Sequence, residues 1–189
     1  MTPALLPTVA LTPGQEYGAG QTVRVSAPQT WTITPVDWHD PRAAALRDAM
    51  DAEIGPRYAD RFEARAAAGI QDDPADFAID PATLLVTVLV HDADGTPVGH
   101  AALRRLGDEV EVKRVYIGPA VRGAGASRAL MSELERLGRD AGAVRLILQT
   151  RDRQPEAIAL YEHIGYTPIP IFAPYTAYEF SRCYEKRLV

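Results

Sequence analysis

The chain has 189 residues, 47% of them hydrophobic and 24% charged, with a formal net charge of −5 and one cysteine. That length suits a single domain with a sizeable core, and the composition excludes collagen-like, coiled-coil and wholly disordered chains. Cys183 can form no internal disulfide, which points to a reducing, cytoplasmic setting. The apolar run 84–90 is too short to span a bilayer, residues 1–11 lack the pattern of a secretion signal, and the acidic balance argues against a nucleic-acid partner.

Residues 1–28 read as an extended arm broken by Pro and Gly, with one short strand at 22–25, and the domain proper as 29–189. Residues 31–37 alternate apolar and polar, the period of a half-buried strand. Asp40 before Pro41 is a helix start, and Leu46, Ala49 and Met50 follow at helical spacing. Gly55-Pro56 breaks that helix, and a second carries Tyr58, Phe62 and Arg65 towards Gly69. A loop with Asp72, Asp73, Asp76 and Asp80 comes next. Strands are predicted over 83–91 and 97–105 with a hairpin turn at Asp94-Gly95, and a third over 109–117. A helix then shows Leu130, Leu134, Leu137 and Ala141 on one face. Residues 144–149 form a buried strand, Gln154-Pro155-Glu156 opens another helix ending at Gly165, and a strand pair is expected around 166–172 and 178–188. The order β-α-α-β-β-β-α-β-α-β-β implies an α/β domain, a mixed sheet with helices on its faces.

The chemistry concentrates at 117–127, where a strand ends and a helix begins almost at once. Such a turn aims backbone N–H groups and the positive end of a helix dipole at one spot. Gly123 and Gly125 let a ligand approach the backbone, and Arg122 adds positive charge, so the expected guest is a phosphate or pyrophosphate; glycine for conformational reasons alone is the bland account. No Gly-Lys-Ser/Thr triplet exists, and Arg128 stands where the dinucleotide fingerprint needs its third Gly.

Arg122-x-x-Gly125-x-Ser127 after a strand, followed by Gln154-x-x-Ala157-x-x-Leu160-Tyr161-x-x-x-Gly165-Tyr166, resembles the GCN5-related N-acetyltransferase (GNAT) family. The resemblance covers roughly residues 30–188, in element order as well as motif. Ser127 replaces the family's last Gly or Ala, Gln154 its Asn, and Tyr166 its Phe.

The resemblance implies the acyl-CoA N-acyltransferase fold and acetyl-CoA as cosubstrate. The pyrophosphate would lie on the amides of Arg122, Gly123, Ala124, Gly125, Ala126 and Ser127, and the pantetheine arm would run between two splayed strands along Val115, Tyr116 and Ile117. A backbone N–H near a bulge at 114–116 would polarise the thioester carbonyl. Tyr161 falls on the family's acid position, although Ile158, Tyr161 and Ile164 also make a core stripe. Gln154 either binds pantetheine amides or caps its helix. Glu111 takes the place of the family's base, against the alternative of an exposed charged face along 109–113. His91 and His100 are reserve bases. Lys113, Arg114 and Arg128 pair with phosphates or are surface charges, the acidic loop attracts an amine or is solvated, and Tyr175 and Tyr178 wall an acceptor pocket or fill a hairpin. The implied activity is N-acetyl transfer to an amine acceptor, small molecule or protein, against the alternative of a non-catalytic CoA-binding module. No metal ligand spacing, Gly-x-Ser-x-Gly elbow or calcium loop is present. A homodimer with residues 1–28 docked on a neighbour stays open.

Overall fold

The computed structural model describes residues 30–188. The arm 1–28 and its expected strand lie outside them. Strand β1 (Thr32–Val36) leads to helix α1 (Pro41–Ile54), whose first turn is capped by the Asp40 carboxylate accepting from the Arg42 amide at 2.8 Å. A 3₁₀ turn at Gly55–Arg57 separates it from α2 (Ala59–Ala67). Strands β2 (Leu84–His91), β3 (Pro97–Leu106) and β4 (Glu109–Ile117) form an antiparallel meander, followed by α3 (Ala126–Asp140), β5 (Arg145–Arg151), α4 (Pro155–His163), β6 (Thr167–Ile169) and β7 (Ser181–Arg187). The sheet order is β1-β2-β3-β4-β5-β7-β6, with β4 and β5 the parallel pair.

The last two strands are shorter than the sequence predicts. Pro168 and Pro170 lack an N–H for the ladder, which confines β6 to three residues at the sheet edge, and a 3₁₀ turn at Tyr175–Ala177 fills the rest of the connection. Strand β5 runs the other way: it extends past Gln149 to Arg151, because β7 continues to pair with it as far as Ser181.

Two apolar clusters flank the sheet. On one face, Leu130, Met131 and Leu134 of α3 are fully buried against Val88, Val90, Leu103, Val110, Val112, Leu146 and Leu148. Each such leucine contributes about 1.5–3 kcal/mol relative to exposure. Tyr58, Tyr175, Tyr178 and Phe180 form the second cluster. The covering loop overturns the idea of an exposed charged face on β4: Glu111 is 0% and Lys113 8% exposed, because Tyr175 packs down on that side of the strand. Glu135 of α3 is also largely buried and pairs with Lys186 at 2.8 Å.

Two irregularities in the sheet shape the site. Strands β4 and β5 pair only at Val110, Glu111 and Val112, opposite Leu146, Ile147 and Leu148, and then part. Just beyond, the β3–β4 register shifts between His100 and Ala102, whose partners are Tyr116 and Lys113. Arg114 in this bulge has φ 56°. The extra residue flips side-chain parity: Val110 and Val112 pack on the α3 face before it, and Ile117 does so after it.

Candidate active site

The chain between β4 and α3 turns through Gly123 (φ 78°) and Gly125 (φ 91°), a left-handed conformation that side chains with a Cβ resist. Gly125 is the residue before the first helical turn and offers no side-chain cap. From Gly123 to Ser127 the amides find no acceptor among the described residues. A row of donors at the positive end of a 15-residue helix fits an anionic phosphate guest. The indole Nε1 of Trp31 donates to the Ala124 carbonyl at 3.2 Å and ties the turn to the start of β1.

Arg122 is positioned beside this turn. Its Nε donates to the Ile117 carbonyl at 2.9 Å, and its two terminal nitrogens meet the Glu53 carboxylate at 3.0 and 2.7 Å. The Arg122 guanidinium holds the Glu53 carboxyl below the usual carboxylate range.

A cleft of about 250 Å³ runs from this loop along the end of β4, lined by Val115, Tyr116, Ile117, Arg122, Gly123, Ala126, Ser127 and the α4 residues Gln154, Ala157, Leu160 and Tyr161. A second cavity of about 200 Å³ adjoins it where β4 and β5 part. Met50, Ile54, Val115, Gln154 and Tyr161 line both. Residues of α1, β4 and α4 thus converge on the junction, with Gln154 and Tyr161 of the motif among them. Of the loop residues, Ala124 and Gly125 stand outside the cleft lining.

At the junction, Tyr161 is 6% exposed, and burial alone pushes its hydroxyl well above the ordinary phenol range, with no hydrogen bond or charge contributing. Gln154 precedes Pro155 without a side-chain capping bond, which removes the capping alternative.

Glu111 lies behind the second cavity rather than in its lining. One carboxylate oxygen accepts from Arg104 Nε at 2.8 Å, the other from the Tyr175 hydroxyl at 2.7 Å. Lys113 donates to the same hydroxyl at 2.6 Å and sits 3.7 Å from Glu111. A carboxylate enclosed in this way supports its neighbours and does not itself line the cavity. Lys113, by contrast, lines the cavity, and burial lowers its ammonium to about 8.

The histidines are also committed. His100 is 0% exposed, with both ring nitrogens engaged by Arg47 and Arg114, and burial lowers it to about 4. His91 lies in β2 with Thr34 Oγ1 3.5 Å from its ring. The acidic loop is consumed internally as well. Asp72 pairs with Arg65 at 2.7 Å, Asp73 and Asp80 accept from the Ala75 and Ala82 amides, and Asp76 accepts from the Tyr178 hydroxyl at 2.9 Å. Tyr175 and Tyr178 fill the second cluster rather than walling the cavity. Arg114 pairs with Asp51, and Arg128 contacts His163 at 2.7 Å. The residue that sequence reasoning missed is Arg151, two positions beyond the predicted end of its strand and inside the cavity lining. A lone arginine near a strand end has no local signature, and β7 decides how far β5 extends.

Among the described residues no group of three or more His, Cys, Asp or Glu could hold a metal, and no helix is long and apolar enough to cross a membrane.

The sequence pattern of the Acetyltransferase (GNAT) family matches residues 44–166. The chain is 35% identical over 105 residues to an IAA acetyltransferase of Azospirillum brasilense, covering 54% of this chain and 69% of that one. A crystal structure from Klebsiella pneumoniae, assigned to the acyl-CoA N-acyltransferases, superposes with a TM-score of 0.66 at 30% identity over 84% of this chain and 98% of that one. The PaiA N-acetyltransferase of Thermoplasma acidophilum, solved in complex with coenzyme A, shares the fold with a TM-score of 0.59 at 14% identity, over 84% of this chain and 99% of the other. With the orphan amides, the parted strands and the family pattern all in one stretch, the chain belongs to the GNAT family of acetyltransferases.

Proposed function

We propose that the protein transfers the acetyl group of acetyl-CoA to a primary amine by direct attack within a ternary complex. The observation that carries this reading is the meeting of two cavities at Val115, Gln154 and Tyr161. One runs to the phosphate-type loop and suits a CoA-like guest, while the other is a separate chamber for the acceptor.

In this reading the 123–127 amides and Arg122 hold the pyrophosphate, and Arg122 exchanges Glu53 for it. Val115, Tyr116 and Ile117 offer backbone groups to the pantetheine arm. Acetyl-CoA supplies the activated acyl group. A backbone N–H at the 114–116 bulge polarises the carbonyl, and the fixed geometry brings amine and thioester together. As the new C–N bond forms and the C–S bond breaks, the Tyr161 hydroxyl gives its proton to the departing sulfur. The amine loses its proton to solvent, and Tyr161 is reprotonated. Glu111 acts as a positioning residue for Tyr175 and Lys113 instead of the base.

The test offers acetyl-CoA with a broad panel of primary amines and measures free thiol. Acetyl-CoA is expected to raise the thermal midpoint, and at least one amine to release CoA well above the hydrolytic background. Thermal stabilisation without any amine-dependent release would make the protein a non-catalytic CoA-binding module.

A further inference from the structure

We infer that the acceptor carries an anionic group, a carboxylate, which Arg151 and Lys113 bind at the far end of the acceptor chamber; this rests on the transferase reading above.

The chamber is lined by three cations, Lys113, Arg114 and Arg151, and one carboxylate, Asp51. Asp51 pairs with Arg114, which leaves Lys113 and Arg151. Neither lines the cofactor cleft, so both sit on the side away from the loop.

Arg151 forms no ion pair with any described residue. Neighbouring arginines do: Arg61 meets Asp152 at 2.8 Å, Arg65 meets Asp72 and Glu179, and Arg153 meets Asp60 at 2.6 Å. Aromatic rings hold Arg151 instead. Its guanidinium carbon is 4.4 Å from the centroid of Phe77, 5.1 Å from Tyr58 and 5.3 Å from Phe62. Ring faces attract the charge but take none of the in-plane N–H donors. The result is a rigidly placed planar fork, the geometry that binds a carboxylate in bidentate fashion.

Lys113 is the surplus cation of a buried cluster. Glu111 gives one oxygen to Arg104 and the other to Tyr175, and it stands 3.7 Å from the Lys113 nitrogen, beyond good hydrogen-bond range. With one N–H on the Tyr175 hydroxyl, Lys113 keeps two donors without a partner among the described residues.

Two unmatched cations in a half-enclosed chamber disfavour an acceptor that is only a cation, such as a plain alkylamine. They favour one whose carboxylate offsets them. The same positive field lowers the pKa of the acceptor's ammonium, helping it reach the neutral form that attacks. The substrate class is therefore a small amino acid or another amine bearing a carboxylate.

The experiment uses matched sets of three, each an amino acid beside its amide and its decarboxylated amine, with turnover measured by thiol release. Calorimetric binding to the CoA-saturated protein runs in parallel. The acid should exceed its neutral partners by tenfold or more in kcat/KM. Arg151→Gln should raise KM for the acid at least tenfold while leaving KM for acetyl-CoA and for the neutral partner within twofold, and Arg151→Lys should restore part of the loss. The CoA-induced thermal shift of each variant reports that it is folded. Equal turnover of acid and amide overturns the inference while leaving acetyl transfer standing. If no amine of any class is acetylated although acetyl-CoA binds, the transferase reading fails, and calorimetry alone decides: tenfold tighter binding of the acid supports the anion site, and equal or absent binding overturns it.

Discussion

His100 donates through Nδ1 to the carbonyl oxygen of Arg114 at 3.1 Å. The tautomer follows from its other nitrogen: Nε2 faces Arg47 at 3.2 Å, and a guanidinium can only donate. The bond anchors the bulged residue of β4 from the neighbouring strand, where the proposed mechanism puts the N–H that polarises the thioester. A protonated His100 would lose the Arg47 contact and stand between two cations, Arg47 and Arg114.

The stability of the fold should therefore depend on pH through this residue. Burial depresses His100 to about 4 in the folded state, against about 6.5 in an unfolded chain. The unfolded state binds its proton first as pH falls, so stability is complete above pH ~6.5, declines towards pH ~4 and then levels off. The loss is about 3 kcal/mol at most. Urea titrations from pH 4 to 7.5 measure it, and His100→Asn should flatten that stretch of the profile. A mutant retaining the full slope would assign the dependence to other groups.

Gly125→Glu should abolish the thermal shift produced by acetyl-CoA. The substitution forces a Cβ into φ 91° and sets a carboxylate beside the donor row. Gly142→Ala is the matched control. It has φ 81° with nothing within 4 Å of the added Cβ, so it carries similar strain far from the loop. Loss of stability in both with loss of the shift in Gly125→Glu alone is the expected outcome. An undiminished shift in Gly125→Glu would remove the pyrophosphate from this turn.

Tyr161→Phe should separate turnover from affinity. The hydroxyl is raised by burial alone, with no partner to lose, so its removal should leave the thermal midpoint nearly unchanged. If it protonates the leaving sulfur, kcat drops by about 10²-fold or more while the acetyl-CoA dissociation constant changes less than threefold. Unchanged kcat would return Tyr161 to the apolar stripe it shares with Ile158 and Ile164.

For Glu111→Gln the reverse pattern is expected. Glu111 is 0% exposed and accepts from Arg104 and Tyr175, so neutralising it leaves buried cations uncompensated. The cost is about 3–5 kcal/mol, or roughly 6–20 °C in thermal midpoint. Turnover measured well below that midpoint should stay within about tenfold of the parent. A loss of 10²-fold or more with an unchanged midpoint would show that Glu111 takes the proton after all.

Local chemistry wrote much of this protein into its sequence. The Asp40 cap, the Gly55-Pro56 break, the Asp94-Gly95 turn and the leucine stripe on α3 act over a few residues, so their spacing is readable without a structure. The loop at 122–127 is legible for the same reason, because its glycines and the helix after it are contiguous. The second cavity is not. It exists because β4 and β5 pair at three positions and then part, and because the loop carrying Tyr175 folds over β4. That cover turns Glu111 from a surface-strand charge into a buried counter-ion.

The net charge of −5 shows the same division. The sequence left its acidic loop either to attract an amine or to be solvated. In the fold, Asp72, Asp73, Asp76 and Asp80 are spent on an arginine, two backbone caps and a tyrosine, while Arg151 and Lys113 keep free donors inside the chamber. Sequence by itself determined the total charge, the motif and the order of elements, all of which are fixed by covalent neighbours. Only the tertiary structure decided the sign of the field in the second cavity, because that depends on which charges find partners across the fold.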